Sequence, residues 1–321
     1  GDEVVGVAAG FPTTVNPIIQ FGAVPVFVDV DLKTHNINID LIEEAITPKT
    51  RAIMLAHTLG NPFNLHRIRE ICDKYDLWLI EDCCDALGAT YNETHVGTFG
   101  DIATCSFYPA HQITMGEGGA VFTNNSELIT IAESFRDWGR DCYCETGMSN
   151  TCGKRFDWQL GKLPKGYDHK FIYTHVGYNM KMTDIQAALG LAQVERFDEL
   201  VNRRIQHAEL YSSLLKDVVG LTLPPVTEGI KNVFWMYSLL VEEEFGISRD
   251  ELRQRLAKRG IETRTFFIPI HLQPASKYLG YTKGSFPVTE KQSKKILTLP
   301  INQSLKQTDL QKIARLLNSF K

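Results

Sequence analysis

An α/β chain built around a largely parallel sheet is what this sequence predicts, on three observations. Short β-branched runs alternate with amphipathic stretches through the first half, the pattern of strands joined by helices that cover both faces of a parallel sheet. At 321 residues, 43% hydrophobic and 22% charged, the chain has room for about two domains with a sizeable core. A Pro224-Pro225 break then opens a second, smaller run of strand and helix signals.

In chain order, strands are predicted at 4–8, 24–28, 52–55, 78–80, 102–106 and 120–123, with helices at 14–21, 40–45 and 65–75. From 139 to 175 the pattern dissolves into Gly, Pro, Cys, charges and scattered aromatics. A structureless loop this long in a compact domain is usually functional or disordered, and its Cys and Trp content argues against disorder. Thr183-Asp184 forms an N-cap signal for one long helix running to about residue 215. Beyond the Pro pair come a strand at 235–241 and helices at 249–259 and 305–320. The expected division is a large domain over 1–182 that includes the 139–175 loop, a connecting helix over 183–223, and a small domain over 224–321. Ligands in open parallel sheets gather beyond the carboxyl ends of the strands, where residues 81–85 and 106–111 fall.

Composition excludes several classes of function. A formal net charge of −4 and the lack of any basic block give no reason to expect nucleic acid. No apolar run approaches the roughly 20 residues of a membrane helix, and no secretory signal opens the chain, which places it in the cytoplasm. Seven cysteines in a reducing compartment point to metal or reactivity rather than disulfides. The Asn-x-Ser/Thr triplets at Asn92, Asn124 and Asn302 are then chance matches. Gly147 and Gly153-Lys154-Arg155 imitate a phosphate loop, but five residues separate the glycines and Arg155 replaces Ser/Thr. Gly116–Gly119 lacks the strand–turn–helix context of a dinucleotide fingerprint. Any nicotinamide chemistry is therefore expected from a separate partner.

Three segments carry the chemistry. Ser106-Phe107-Tyr108-Pro109-Ala110-His111 runs on to Glu117-Gly118-Gly119. The segment from Glu81-Asp82-Cys83-Cys84-Asp85 to Gly88-Ala89 succeeds an apolar strand, and Gly177-Tyr178-Asn179-Met180-Lys181 leads to Gln186-Ala187-Ala188. Taken singly, a histidine in a Pro-Ala turn reads as structural and an acidic pair after a strand as a solvated turn. Together they resemble the DegT/DnrJ/EryC1/StrS family of sugar aminotransferases, in which an S-F-x-x-x-K run leads into E-G-G. The resemblance implies the fold type I architecture of pyridoxal phosphate (PLP) enzymes, aspartate aminotransferase-like, with the coenzyme in the 1–182 domain.

The resemblance also implies roles. Asp82 would pair with the pyridine nitrogen and keep the ring electron-withdrawing. Asp85 stands where the family usually has Gln, near the ring hydroxyl. Ser106 matches a phosphate-binding serine, or is a strand-end hydroxyl; Phe11 matches a ring-stacking aromatic, or is core packing. Asn179 corresponds to a residue that reaches the neighbouring subunit's phosphate, which implies a homodimer. Arg264, Phe267 and His271 lie in a segment like the family's substrate wall. His111 occupies the place of the coenzyme lysine. Imidazole cannot form a Schiff base, but with a pKa near neutrality it can move protons. The family's helix and phosphate loop ahead of the first strand have no match here, which implies an N-terminally truncated chain.

Four further cysteines remain. Cys84 lies beside the acidic pair and Cys142, Cys144 and Cys152 lie in the long loop, with 57, one and seven residues between successive members. Four thiolates suit zinc or an iron–sulfur cluster. Structural zinc prefers two to four residues within each cysteine pair, so the single spacer argues mildly against it, and spacing alone leaves both open. Cys83 competes with Cys84, whereas Cys72 and Cys105 read as core residues.

Combined with histidine for lysine, this spacing resembles the iron–sulfur type among the nucleotide-sugar 3-dehydrases of the same family, which holds a [2Fe-2S] cluster on this pattern. That likeness implies pyridoxamine phosphate (PMP)-dependent loss of the C3 hydroxyl from a CDP-linked 4-keto-6-deoxyhexose. His111 would be the base, and a separate NAD(P)H-dependent reductase the electron source. The product would supply 3,6-dideoxyhexoses to lipopolysaccharide O-antigen. The rival readings are a conventional PLP aminotransferase, a cluster-free dehydratase and an inactive zinc-stabilised scaffold.

Overall fold

The computed structural model describes residues 1–144 and 147–320. Its strands in chain order are β1 Glu3–Val7, β2 Val24–Val28, β3 Thr50–Ala56, β4 Trp78–Asp82, β5 Thr90–Tyr91, β6 Thr94–His95, β7 Ile102–Ser106, β8 Gly119–Phe122, β9 Leu221–Thr222, β10 Ile230–Lys231, β11 Tyr237–Val241 and β12 Ile296–Leu299. The helices are α1 Pro12–Gln20, α2 Ile42–Ala45, α3 Leu65–Tyr75, α4 Ser126–Arg136, α5 Asp184–Val194, α6 Phe197–Leu215, α7 Arg249–Ala257, α8 Pro287–Lys295 and α9 Gln307–Ser319.

The main sheet has the order β2-β1-β3-β4-β7-β8. All neighbours are parallel except β7 and β8, which are antiparallel. Its central residues Val5, Ile53, Leu79 and Ala103 are fully buried, as strands covered on both faces must be. Against it packs α3, whose Leu65, Ile68, Ile71 and Cys72 are buried at helical spacing. Asn64 caps that helix by accepting from the Arg67 amide at 3.1 Å. A second core joins α6 and α9 to β11 and β12 through Tyr211, Leu215, Tyr237, Leu297 and Leu317.

The single helix expected over 183–215 is two. Thr183 and Gln186 form a reciprocal capping box that starts α5, but Arg196 leaves helical geometry at φ −108°, ψ 6°. Phe197 there turns its ring onto Gly88, where an added Cβ would sit 2.7 Å from the ring. The turn redirects α6 so that Val201 reaches the first core and Ala208, Tyr211 and Leu215 reach the second.

The described residues between Gly139 and Gly177 form an irregular excursion close to the 139–175 expected, and among them His169–Phe171 makes a 3₁₀ turn. Its two ends touch. A Cβ on Gly139 would lie 1.8 Å from the His175 carbonyl oxygen, and one on Gly177 would lie 2.2 Å from the Gly139 nitrogen. Within it, Arg155 Nε donates to Asp168 at 2.8 Å and Trp158 stacks on His169 at 5.1 Å between centroids. No described helix is long and apolar enough to cross a membrane.

Candidate active site

The apolar strand β4 ends in two acids that point in opposite directions, as successive strand residues do. Glu81 is fully buried. It accepts from His57 Nε2 at 3.0 Å and from the amides of Gly97, Phe99 and Gly100 at 2.7, 2.9 and 2.6 Å. Burial pushes its carboxyl upward, but the hydrogen bonds from His57, Gly97 and Gly100 outweigh that and hold it below its ordinary value. Its oxygens are filled, so Glu81 is an anchor. Asp82 turns the other way, accepting from Thr14 Oγ1 at 2.7 Å and from the Cys84 amide at 3.0 Å. Its carboxylate is thereby fixed between α1 and the strand end.

His111 stands beyond this end of the sheet with its side chain largely buried, and its Nδ1 lies 3.6 Å from Asp85 Oδ1. That is too long for a hydrogen bond, and Nδ1 has no other partner. Burial and the neighbouring Asp82 carboxylate push the Asp85 carboxyl well above its usual range. Burial lowers the pKa of His111, opposed by Asp82 and reinforced by the Arg204 guanidinium. Both shifts favour uncharged forms, so the close approach is not an ion pair. Around His111, Gln112 Nε2 donates to the Asp85 carbonyl and Trp235 Nε1 donates to the Ala110 carbonyl at 2.7 Å. The Trp235 ring lies 5.5 Å from the imidazole, tilted by 33°. A neutral imidazole beside a fixed carboxylate is equipped for proton abstraction.

The other expected residues divide. Ser106, at the end of β7, accepts from the Tyr108 amide at 3.2 Å, leaving its hydroxyl hydrogen for a ligand. Phe11 is 58% exposed at the start of α1, so it is not core packing. Asn179 Oδ1 accepts from Lys181 Nζ at 2.7 Å, and no hydrogen bond joins it to Asp82, Asp85 or His111. The expected substrate wall needs correction. Phe267 is buried with Leu59, Leu240 and Ile296, while His271 is buried with Nε2 3.1 Å from Glu290. Both belong to packing, and only Arg264, paired with Glu262, offers an exposed side chain. Trp235, Arg204 and Gln112 were not foreseen. Their contacts with 110–111 and 85 are long-range, and no local pattern marks them.

The cysteines fall into two groups. In the loop, Thr151 Oγ1 donates to Cys144 Sγ at 3.1 Å, and that bond pulls the Cys144 thiol down to about 7. Burial raises the neighbouring Cys142, and Cys152 Sγ lies 3.8 Å from His169 Nε2. Cys84 is half-buried at the sheet end, its thiol pushed up by burial and by Asp82. Cys83, its competitor, is buried in the core. Among the described residues, one group of three His, Cys, Asp or Glu donors lies mutually within 4.8 Å, namely His57, Glu81 and Cys83. The four-cysteine set is suitable in chemistry for a thiophilic metal, and no three of its described thiols lie mutually within 4.8 Å. The coenzyme end fits PMP better, with a fixed carboxylate, an imidazole nitrogen without a partner and an exposed aromatic.

With this geometry in place, the DegT/DnrJ/EryC1/StrS aminotransferase family profile matches residues 1–318. The chain belongs to that family. It is 60% identical over 268 residues to the lipopolysaccharide biosynthesis protein RfbH of Salmonella typhimurium, covering 83% of this chain and 61% of the relative. It is 51% identical over 267 residues to the dTDP-4-dehydro-2,6-dideoxy-D-glucose 3-dehydratase of Saccharopolyspora spinosa, covering 83% and 58% respectively. The matched region thus spans about three fifths of each relative's length. Among solved structures, the aminotransferase TlmJ from Streptoalloteichus hindustanus superposes with a TM-score of 0.85 at 29% identity, over all of this chain and 79% of that one. The α/β architecture is thus that of the aminotransferase fold, and the family uses PLP or PMP.

Proposed function

We propose that this chain is the catalytic part of a PMP-dependent 3-dehydrase of the CDP-4-keto-6-deoxy-D-glucose type, which removes the C3 hydroxyl of a nucleotide-linked 4-keto-6-deoxyhexose. The observation that carries the reading is His111 in the coenzyme-lysine position, held neutral beside Asp82 and Asp85. The two relatives above, one named a 3-dehydratase and one a lipopolysaccharide biosynthesis protein, support both the reaction and its destination.

When bound, PMP supplies an amine for the sugar ketone and an electron-withdrawing ring. Asp82, fixed by Thr14 and the Cys84 amide, would face the pyridine nitrogen as a carboxylate acceptor. His111 Nδ1 faces Asp85 Oδ1, which leaves Nε2 as the nitrogen that would take the coenzyme methylene proton. Ser106 offers its hydroxyl hydrogen to an anion, and Phe11 an exposed ring for stacking. Arg264 is the remaining basic group for the nucleotide side.

The reading extends to a [2Fe-2S] cluster on Cys84, Cys142, Cys144 and Cys152, fed by a separate NAD(P)H-dependent reductase. Four soft donors at the noted spacing support it. The lack of any three of these described thiols mutually within 4.8 Å keeps a cluster-free dehydratase as the second reading. A homodimer is proposed on the exposed apolar run Val176, Tyr178, Met180, Met182, Ile185 and Leu191, which are 95, 47, 66, 55, 84 and 64% exposed, with Asn179 turned outward among them. The division into 1–182, 183–223 and 224–321 rests on a first core drawn mainly from 5–103 and a second drawn from 208–317, and a cytoplasmic site of action on the free thiols.

The test uses the full-length protein purified anaerobically. Iron, acid-labile sulfide and a visible spectrum decide between the two readings; metal-free protein with full turnover favours the cluster-free one. Borohydride treatment with PLP should leave no covalent adduct. A stable adduct on a lysine would return the chain to the aminotransferases.

A further inference from the structure

We infer that Arg204 is the positioning residue of this site: its buried guanidinium clamps the main chain on both sides of the His111–Trp235 contact. The inference rests on the reading of His111 as the base.

The His111 ring needs such a device. Its Nδ1 has no hydrogen bond and Asp85 stands off at 3.6 Å, so no side-chain bond to that nitrogen fixes it. What holds the ring is the backbone that carries it and the indole beside it. Arg204 Nη2 donates to the His111 carbonyl at 3.3 Å and Nη1 donates to the Trp235 carbonyl at 3.0 Å. Trp235 Nε1 closes the circuit on the Ala110 carbonyl at 2.7 Å. One rigid fork on α6 thus ties residues 111 and 235 together, and the indole returns a bond to residue 110.

Arg204 is 6% exposed, its Nε is buried without a partner, and burial pulls its pKa down to about 10 with no carboxylate opposing it. A buried guanidinium answered only by carbonyl oxygens is costly to keep. A neutral amide could bond the same carbonyls at less cost. The retained charge has an electrostatic effect that an amide would lack. The ionisable groups around the imidazole are Asp82 and Asp85 at the end of β4, Tyr108 on its own loop and Arg204 on α6. Asp82 favours the imidazolium, Asp85 is pushed toward its neutral form, and Arg204 disfavours the imidazolium. The same side chain that fixes the base geometrically also keeps it unprotonated.

Two variants of the full-length chain loaded with PMP separate these effects. Arg204→Gln removes the charge and keeps a donor. Arg204→Lys keeps the charge and loses the fork. Washout of deuterium from the PMP methylene is tracked against pH, and the His111 ring is titrated by NMR in the same samples. Arg204→Gln should move the His111 midpoint, and with it the acid limb of washout, upward by roughly half a unit to one unit. Arg204→Lys should leave the midpoint in place and slow washout about tenfold, the scale of a displaced base.

A purely packing role would lower thermal stability in both variants and leave the midpoint unmoved, which would overturn the inference. Should Arg204→Gln not fold, Trp235→Phe keeps the ring and removes the bond to Ala110; it should slow washout without moving the limb, and an unchanged rate would likewise overturn the clamp. The NMR titration reports on His111 whether or not it is the base. A shifted midpoint with unshifted washout would therefore remove the base assignment and leave the electrostatic effect standing.

Discussion

The end of β4 and the excursion over 140–176 carry the same kinds of donors and hold them in opposite ways. At the strand end, Glu81 has its oxygens filled, Asp82 is fixed by two donors, and the backbone carrying His111 is tied from α6 and Trp235. In the excursion, Cys142, Cys144 and Cys152 lie half-buried on irregular backbone and Cys84 belongs to a different neighbourhood. Proton chemistry is thus built into the folded chain, because catalytic groups act best when positioned beforehand. The loop thiols instead sit on irregular backbone, where metal ligation itself can supply ordering energy.

The strongest way to break this contrast is at His111. His111→Asn keeps approximate size and removes the base, so washout of the PMP methylene proton should fall by about 10² to 10⁴ while coenzyme affinity is retained. A wild-type rate in that variant would place the base elsewhere.

Next in size is Glu81→Ala, which strips four N–H groups of their acceptor, two of them buried. Urea denaturation should show a loss of about 3–5 kcal/mol, as for breaking a buried pair from one side. The pH dependence has a definite sign. The folded-state carboxyl of Glu81 is depressed, so its stabilisation is present above the ordinary carboxylate range and disappears as pH falls through the lower folded value. A variant as stable as wild type at pH 7 would mean that the strand end is held by something else.

Cys144→Ser probes the other side of the contrast. It replaces a soft thiolate with a poor ligand for iron. Iron content, visible absorbance and reductase-coupled turnover should be lost, while washout of the PMP methylene proton is retained. Chelation of iron from the wild-type protein should give the same pattern. Parallel loss of washout would show that the two regions are one cooperative unit.

The smallest effect is the acid limb of washout in the wild-type protein. The base must be neutral, and burial lowers the His111 pKa. Activity should therefore persist below the ordinary histidine value of about 6.5 and fall off only at more acidic pH. A midpoint above that value would mean that Asp82 outweighs burial and Arg204.

These contrasts also explain what could be read in advance. That Asp82 and His111 lie at one end of the sheet was legible because the segments carrying them resemble family motifs that run on from the ends of β4 and β7, and the strand alternation pointed to the sheet. Phe197 was not, since its turn onto Gly88 depends on a contact across the fold, and the 183–215 pattern remains helical on both sides of the break. Arg204 looks like any basic residue on an amphipathic helix until α6 is packed against β11. Phe267 and His271 were misplaced because a family-like segment says which residues are present, not which face of the backbone they occupy. The sequence spacing of the four cysteines likewise carries no information about whether their sulfurs meet.

Gly139 and Gly177 give the excursion its particular freedom. Because the backbone returns to within touching distance of where it left, residues 140–176 form a detour whose entrance and exit coincide. Among the described residues the detour also meets α4 at that junction, where Ser134 Oγ lies 3.0 Å from His175 Nδ1 and the Phe135 ring packs on the imidazole. A change of length or chemistry inside the detour reaches β7, β8 and α5 through that junction, so the loop and the coenzyme end of the sheet can vary separately.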